Sequence, residues 1–134
     1  MLRLTLQERK DIINTSSLSR KKYTKLAILS HFDKDNSIDE HIIYMIKELY
    51  LLSFDIVFVT TSQQITSSEL AKIKQYLYLS IVKKNRGYDF ISWKTALALV
   101  PDYKNYEMIL HVNDSIFFPL TDPKKMFDIM EKRY

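Results

Sequence analysis

FDIVFV, residues 54–59, decides the fold class of this 134-residue chain. The run is rich in β-branched and aromatic residues, which is typical of a strand buried inside a sheet. Similar short apolar runs lie at residues 26–30, 77–82 and 108–112, and segments with helical periodicity separate them. Strands that alternate with helices indicate a parallel α/β sheet with right-handed crossovers. We therefore predict a Rossmann-like three-layer sandwich with a mainly parallel sheet of about four strands.

Capping signals place the helices between these strands. SIDE at residues 37–40 and TSSE at residues 66–69 are capping boxes, in which a Ser or Thr is followed three residues later by Glu. A third helix is expected over residues 90–99. Asp122-Pro123 predicts the start of a last helix, because proline is favoured at the first helical position.

The N-terminal part of the chain differs from the rest. Residues 1–24 are polar and basic, and we interpret them as a lead-in with weak helical character around residues 6–13. TSSLS at residues 15–19 is typical of a linker. Residues 25–134 are then expected to form one α/β domain.

The composition excludes several function classes. The chain has no cysteine, which excludes disulfide scaffolds and thiolate metal sites, and no apolar stretch approaches the roughly 20 residues of a membrane span. The net charge of +4 is mild and no nucleic-acid motif accompanies it, so nucleic acid is not an expected partner. We therefore expect a soluble cytoplasmic domain. The cluster of Lys83, Lys84 and Arg86 suits a phosphate-bearing ligand or an anionic membrane surface.

Polar residues that packing does not explain follow all four predicted strands, with Thr60, Thr61 and Ser62 after the second. Open α/β sheets bind ligands beyond the carboxyl ends of their strands, near the point where the strand order reverses. The candidate binding residues at this edge are His31, Asp33, Asn85, Gly87, Asp89, Asn113, Asp114 and Ser115. His31 is also an acid–base candidate, although a histidine directly after a strand is more often structural.

Gly87 is the one glycine in 134 residues, where average usage gives about nine. Glycine reaches positive φ cheaply and lets a ligand approach the backbone closely. The glycine lies just before a predicted helix start, and helix N-termini favour anions. Asp89 is then either the N-cap or an acceptor for ribose hydroxyls or a base N–H. A cap and turn without a ligand is the alternative.

Asn113-Asp114-Ser115 forms a short acidic element directly after the strand at residues 108–112. Oxygen ligands of this kind suit Mg²⁺ or Mn²⁺, and a cation here would offset the charge of a nucleotide diphosphate. Asp114 is the candidate metal ligand. The alternative is that Asp114 and Ser115 only cap a turn.

Together these motifs resemble the rhamnan synthesis protein F family, bacterial glycosyltransferases of cell-wall and O-antigen polysaccharide assembly. The resemblance lies in KLAILSHFD at residues 25–33, in NRGYDFISWK at residues 85–94, and in Asn113-Asp114-Ser115 with Pro119. It covers about residues 25–130. It implies the donor-binding half of a GT-A-like enzyme, which holds a nucleotide diphosphate sugar, typically dTDP-rhamnose.

The resemblance also implies a role for each candidate residue. Asp114 and Ser115 would lie near the diphosphate or its metal, Asn85 and Asp89 would face the nucleoside, and His31 to Asp33 would line the same pocket. GT-A enzymes carry an Asp-x-Asp element where this chain has Asn113-Asp114-Ser115. Because these three residues are not a true Asp-x-Asp sequence, the resemblance leaves dependence on Mg²⁺ or Mn²⁺ open.

The sequence leaves two functions open. A GT-A enzyme needs a second half that binds the glycan or lipid-linked acceptor and supplies a catalytic base, and we find no base here. The chain is then either a piece of a longer transferase at the inner membrane face, or a non-catalytic binding or assembly module with a degenerate fold. Ile91 and Phe118 favour the module, because the family tends to have glycine at both places. A domain cut at this point is also expected to self-associate through exposed apolar surface.

Overall fold

A computed structural model describes residues 3–85, 89–101 and 103–113 of the chain. Its helices are α1 (Leu6–Lys10), α2 (Glu40–Leu51), α3 (Ser67–Ala71) and α4 (Asp89–Leu99), with short 3₁₀ turns at Lys74–Tyr76 and Tyr103–Asn105. Its strands are β1 (Ile12–Ser17), β2 (Lys25–His31), β3 (Phe54–Thr60), β4 (Leu79–Lys83) and β5 (Met108–Asn113).

The five strands form one sheet in the order β1-β4-β3-β2-β5. β2 pairs in parallel with β3 and with β5, β3 pairs in parallel with β4, and β1 pairs antiparallel with β4. The chain steps from β2 through β3 to β4, and then crosses back to place β5 on the other side of β2. The strand order therefore reverses between β2 and β5, where Ser30 lies beside Asn113. The prediction of a Rossmann-like α/β sheet is confirmed.

Helices cover both faces of the sheet. One face packs against α2 through Ile42, Met45, Ile46 and Leu49, together with Ile73 and Leu77 from the segment after α3. The other face packs against α4 through Ala96, Leu97 and Val100. All seven residues of β3 are buried, as expected for the central strand of a three-layer sandwich.

The sheet begins earlier in the chain than the sequence indicates. β1 occupies residues that we interpreted as lead-in and linker, and it forms the edge of the sheet beside β4. The linker interpretation of residues 15–19 is therefore wrong for residues 15–17. Serine and threonine at these positions resemble a linker in composition, but an edge strand needs to bury little of its surface, and β1 is mostly exposed.

The two predicted capping boxes form only in part. Asp39, not Ser37, caps α2 by accepting a hydrogen bond from the amide of Ile42. Thr66 caps α3 as predicted, by accepting a hydrogen bond from the amide of Glu69, and α3 is a short helix that ends at Ala71. Ser37 and Glu69 instead bind other parts of the carboxyl edge of the sheet. The predicted helix at Asp122-Pro123 lies outside the described residues.

A buried carboxylate fixes the opposite, amino-terminal edge of the sheet. Asp55 at the start of β3 is 4% exposed. It accepts hydrogen bonds from the amides of Lys22 and Tyr23 at 3.1 and 3.3 Å and from the hydroxyl of Tyr106 at 2.7 Å. Burial and the hydrogen bond to Asp55 raise the pKa of Tyr106 well above its ordinary value. Asp55 therefore ties the connection before β2 to the sheet and lies away from the candidate site.

Candidate functional site

The carboxyl ends of the four parallel strands lie side by side and bring the described candidate residues to one edge. His31 lies beside Thr60, Thr60 lies beside Val82, and Ser30 lies beside Asn113 in the strand register. Asp33 follows β2 directly and Asn85 follows β4. The sequence-based placement of His31, Asp33, Asn85 and Asn113 at one edge of the sheet therefore agrees with the fold.

His31 is buried and both of its ring nitrogens have partners. Nε2 lies 3.2 Å from the carbonyl oxygen of Ser37, which only accepts, so Nε2 carries the proton. Nδ1 then accepts from the hydroxyl of Thr60 at 2.8 Å. The Thr60 oxygen in turn accepts from the amide of Ser62 at 3.0 Å. His31 thus joins β2, β3 and the start of the loop before α2, which is the structural role that the sequence left open.

Asp33 organises the loop between β2 and α2. One carboxylate oxygen accepts from the amide of Asp35 at 2.9 Å, and from the amide and hydroxyl of Ser37 at 3.1 and 3.0 Å. The hydrogen bond from the Ser37 amide is the largest cause that lowers the pKa of Asp33 below its ordinary value. Asp33 is therefore ionised at neutral pH and holds its own loop in one conformation.

The loops after β2 and β3 are joined to each other. The Ser62 hydroxyl accepts from the amide of Asp33 at 2.8 Å and donates to its carbonyl oxygen at 3.0 Å. Asn36, whose φ of 55° lies in the left-handed region, accepts from the amide of Gln64 at 3.1 Å. Glu69 accepts from the amide of Ile38 at 2.7 Å. These contacts make the two loops one rigid wall of the site.

Phe32 stands out on this wall because it is 52% exposed between the buried His31 and the bonded Asp33. Single exposed apolar side chains are common on protein surfaces, so the exposure of Phe32 alone assigns it no role. Its backbone is held by neighbours on both sides, so its position at the edge of the sheet is restricted.

The side of the site between β2 and β5 is built from polar side chains that face α4. The Ser30 hydroxyl lies 3.0 Å from Nε2 of His111, and the His111 ring lies 5.9 Å from the ring of Trp93 in α4. Asn113, at the end of β5, is half-buried on the same face of the strand as His111. Sequence reasoning did not select His111 or Ser30 as site residues, because each is one polar residue in an otherwise apolar strand.

The end of β4 differs from the phosphate-binding cluster that the sequence suggested. Lys83 is 1% exposed, and its ammonium donates to the carbonyl oxygen of Lys84 at 3.0 Å. Burial lowers the pKa of Lys83, while the nearby carboxylates of Asp11 and Glu8 act in the opposite direction. Lys84 and Asn85 are exposed. Lys83 is therefore a structural cation next to the N-terminal segment.

The remaining predicted site residues cannot be placed by side chain. Asp89 is the first residue of α4, which agrees with a helix beginning there. Gly87, Asp114 and Ser115 lie outside the described residues. Among the residues that the structure describes, no three His, Asp or Glu side chains form a possible metal site. Asp114 as a metal ligand therefore stays a prediction.

Comparison with known proteins identifies the family. The model of the family described as rhamnan synthesis protein F matches residues 56–134, from β3 onward. No curated protein and no solved structure matches the chain. In the described part of the chain, no helix is long and apolar enough to cross a membrane. Because the family match covers more than half of the sequence, the chain belongs to the rhamnan synthesis protein F family.

Proposed function

We propose that the carboxyl edge of the sheet binds a nucleotide diphosphate sugar, with dTDP-rhamnose as the first candidate. Membership of the family implies a part in rhamnan polysaccharide synthesis. The observation that carries the proposal is the reversal of strand order between β2 and β5, with Ser30 beside Asn113 at that point. Open α/β sheets bind their ligands at such a reversal.

The chemistry of the described edge suits binding more than proton transfer. Asp33 and Asn113 offer oxygen and amide groups to hydroxyls of a ribose or a sugar. His31 uses both nitrogens on protein atoms, so it supports the wall of the site and does not act as the catalytic base. Glycosyl transfer would break the bond between the sugar and the diphosphate, and the groups that activate the acceptor would come from outside the described residues.

The wall formed by the loops after β2 and β3 supports the proposal in a second way. Hydrogen bonds between protein groups tie its two loops together, so we expect little further ordering when a nucleotide binds. Binding is stronger when the receptor is already in the bound conformation. Exposed Phe32 on this wall offers a flat surface to a base or sugar ring.

Calorimetric titration with dTDP, UDP and GDP, each with and without Mn²⁺, tests the proposal. We expect saturable binding of one nucleotide, weakened roughly fivefold to tenfold in Asn113→Ala by the loss of a hydrogen bond. Asn105→Ala is the matched control, because Asn105 is exposed in the turn before β5, at the other edge of the sheet. A folded sample that binds none of the nucleotides would rule the proposal out.

A non-catalytic binding or assembly module is the second candidate. The observation that favours it is the complete engagement of His31, the acid–base candidate of the sequence, in structural hydrogen bonds. Such a module would bind a nucleotide or a protein but would not release sugar from dTDP-rhamnose. A release assay on the same samples separates the two candidates.

A further inference from the structure

The segment that enters β2 concentrates positive charge at the amino-terminal edge of the sheet. Residues 18–25 contain four basic residues, Arg20, Lys21, Lys22 and Lys25, and no acidic residue. The charge of this short segment therefore equals the net charge of +4 of the whole chain. Arg20, Lys21 and Lys22 are exposed, so their charge is open to a partner outside the molecule.

Hydrogen bonds hold the backbone of this segment in place. The buried Asp55 carboxylate accepts from the amides of Lys22 and Tyr23 at 3.1 and 3.3 Å. The Lys21 ammonium donates to the carbonyl oxygen of Tyr23 at 2.6 Å and lies 4.6 Å from the centre of the Tyr106 ring. The basic side chains therefore extend from an ordered backbone, and we expect little further ordering when a partner binds.

Two neighbouring parts of the chain add to the charge of this edge. Lys74 is exposed in the turn after α3 and lines one groove together with Leu18. Glu107 is exposed on the other side, where its amide donates to the carbonyl oxygen of Thr24 at 2.7 Å, and it offsets one positive charge. We call the five basic residues the basic edge: Arg20, Lys21, Lys22, Lys25 and Lys74.

The carboxyl edge has the opposite charge. The loop at residues 32–40 contains four acidic residues and one lysine. The seven-residue strands β2 and β3 separate the two edges by roughly 20 Å. An anionic surface would therefore attract the molecule by the basic edge and repel it by the carboxyl edge, which favours one orientation of approach.

Apolar and aromatic side chains accompany the charge at the amino-terminal edge. Leu51, the last residue of α2, is 73% exposed. Tyr50, which precedes it, lines a depression of only about 10 Å³ together with Lys22, Tyr23 and Tyr76. This depression is too small to enclose a small molecule, so a broad surface suits the edge better. Tyrosine is enriched where proteins meet the membrane–water interface, and basic residues are attracted to anionic lipids.

We propose that the basic edge docks on a membrane surface that contains anionic lipids. The lysine and arginine side chains contact the lipid phosphates, and Leu51 enters the boundary between headgroups and acyl chains. The carboxyl edge then faces the aqueous phase. This inference uses only charge and exposure at the amino-terminal edge, so it does not depend on the proposed nucleotide site.

The proposed surface differs from the cluster that the sequence suggested for such a contact. Lys83 of that cluster is buried, and Lys84 follows β4 at the carboxyl edge. Variants at the two edges therefore distinguish the two placements.

Co-sedimentation of the full chain with lipid vesicles tests the proposal. Vesicles of equal parts phosphatidylglycerol and phosphatidylcholine should bind the chain, pure phosphatidylcholine vesicles should not, and added salt should weaken the binding. Arg20→Gln combined with Lys22→Gln should lower the partition coefficient roughly twenty-five-fold, since each basic residue near such a surface contributes about a fivefold gain. Both side chains are exposed, so the midpoint of unfolding should stay that of the wild type.

Lys34→Gln combined with Lys84→Gln is the matched control. It removes the same charge from two exposed lysines at the carboxyl edge, which is further from the lipid than the screening length in physiological salt. This control should leave the partition coefficient nearly unchanged.

A second pair of variants tests the apolar contact. Leu51→Gln should weaken vesicle binding, whereas Leu6→Gln should not. Leu6 is 70% exposed, but it lies in α1, which leads into the end of β1 that pairs with Lys83 at the carboxyl edge.

The proposal is overturned if the chain does not bind the anionic vesicles at low salt, or if the two double variants lose binding equally. It is also overturned if single-stranded RNA binds more tightly than the vesicles with the same dependence on Arg20 and Lys22, because the basic edge would then serve a nucleic acid.

Discussion

At the residue scale, His31 and Thr60 act as one unit that joins neighbouring strands at the carboxyl edge. Both are buried, and the Thr60 hydroxyl serves the His31 ring and the Ser62 amide at once. Thr60→Val keeps the shape of the side chain but leaves two buried polar groups without their partner. We expect a loss of about 2–4 kcal/mol in the free energy of unfolding, measured by urea denaturation.

Thr61→Val is the control for this prediction. Thr61 is the next residue, is half-buried, and its hydroxyl makes only a long contact of 3.5 Å with the His31 carbonyl oxygen. It should change stability by less than about 0.5 kcal/mol. Equal losses in the two variants would contradict the pairing of His31 with Thr60.

For His31, the sequence predicts the position of the residue but not its hydrogen bonds. The place of His31 at the carboxyl edge follows from the strand pattern, because the residue comes directly after an apolar run. Its hydrogen bonds do not, since Thr60 is 29 positions away in the chain and the pairing depends on strand register. The burial of Lys83 could not be predicted for the same reason. Lys83 pairs with Ile12 of β1, which is distant in the sequence.

At the element scale, the loop between β2 and α2 depends on the charge of Asp33. The pKa of Asp33 is lower in the folded protein, mainly because its carboxylate accepts from the Ser37 amide. The carboxylate therefore contributes stability above the unfolded pKa of about 4, and this contribution is lost as the pH falls through the lower folded pKa. Asp33→Asn should flatten the decline of stability below about pH 4.

Denaturation of the wild type and Asp33→Asn across acidic pH checks this prediction. The control is Asp35→Asn, because Asp35 is exposed in the same loop. The prediction is wrong if the stabilities of the wild type and Asp33→Asn fall in parallel between neutral and strongly acidic pH.

The N-terminal segment is attached to α4 by an ion pair. Lys94 lies 2.8 Å from Glu8, and the two side chains are 25% and 12% exposed. A double-mutant cycle with Glu8→Gln and Lys94→Met should give a coupling free energy of about 0.5–1 kcal/mol, which decreases as salt is added. A coupling of zero at low salt would mean that the pair does not hold α1 against α4.

Strand β1 is the element that sequence patterns described least well. Its polar composition suggested a linker, and only pairing with β4 makes it a strand. The buried strands β2, β3 and β4 were predicted because continuous apolar runs have few alternatives in a chain of this length. Edge elements carry no such signal, so their presence depends on contacts that are distant in sequence.

At the scale of the whole molecule, the two edges of the sheet have different roles. At the amino-terminal edge, the buried Asp55 carboxylate holds the connection before β2. At the carboxyl edge, the loops after β2 and β3 are bonded to each other, and the strand order reverses between β2 and β5. The carboxyl edge is the proposed nucleotide site.

Amide chemical-shift mapping with dTDP-rhamnose tests the central claim most directly. The account predicts saturable changes at residues 31–33, 61–62 and 113, where the carboxyl ends of β2, β3 and β5 meet, and none at residues 22–24 or 105–107 on the opposite edge. Changes confined to the opposite edge, or no change in a folded sample, would contradict it.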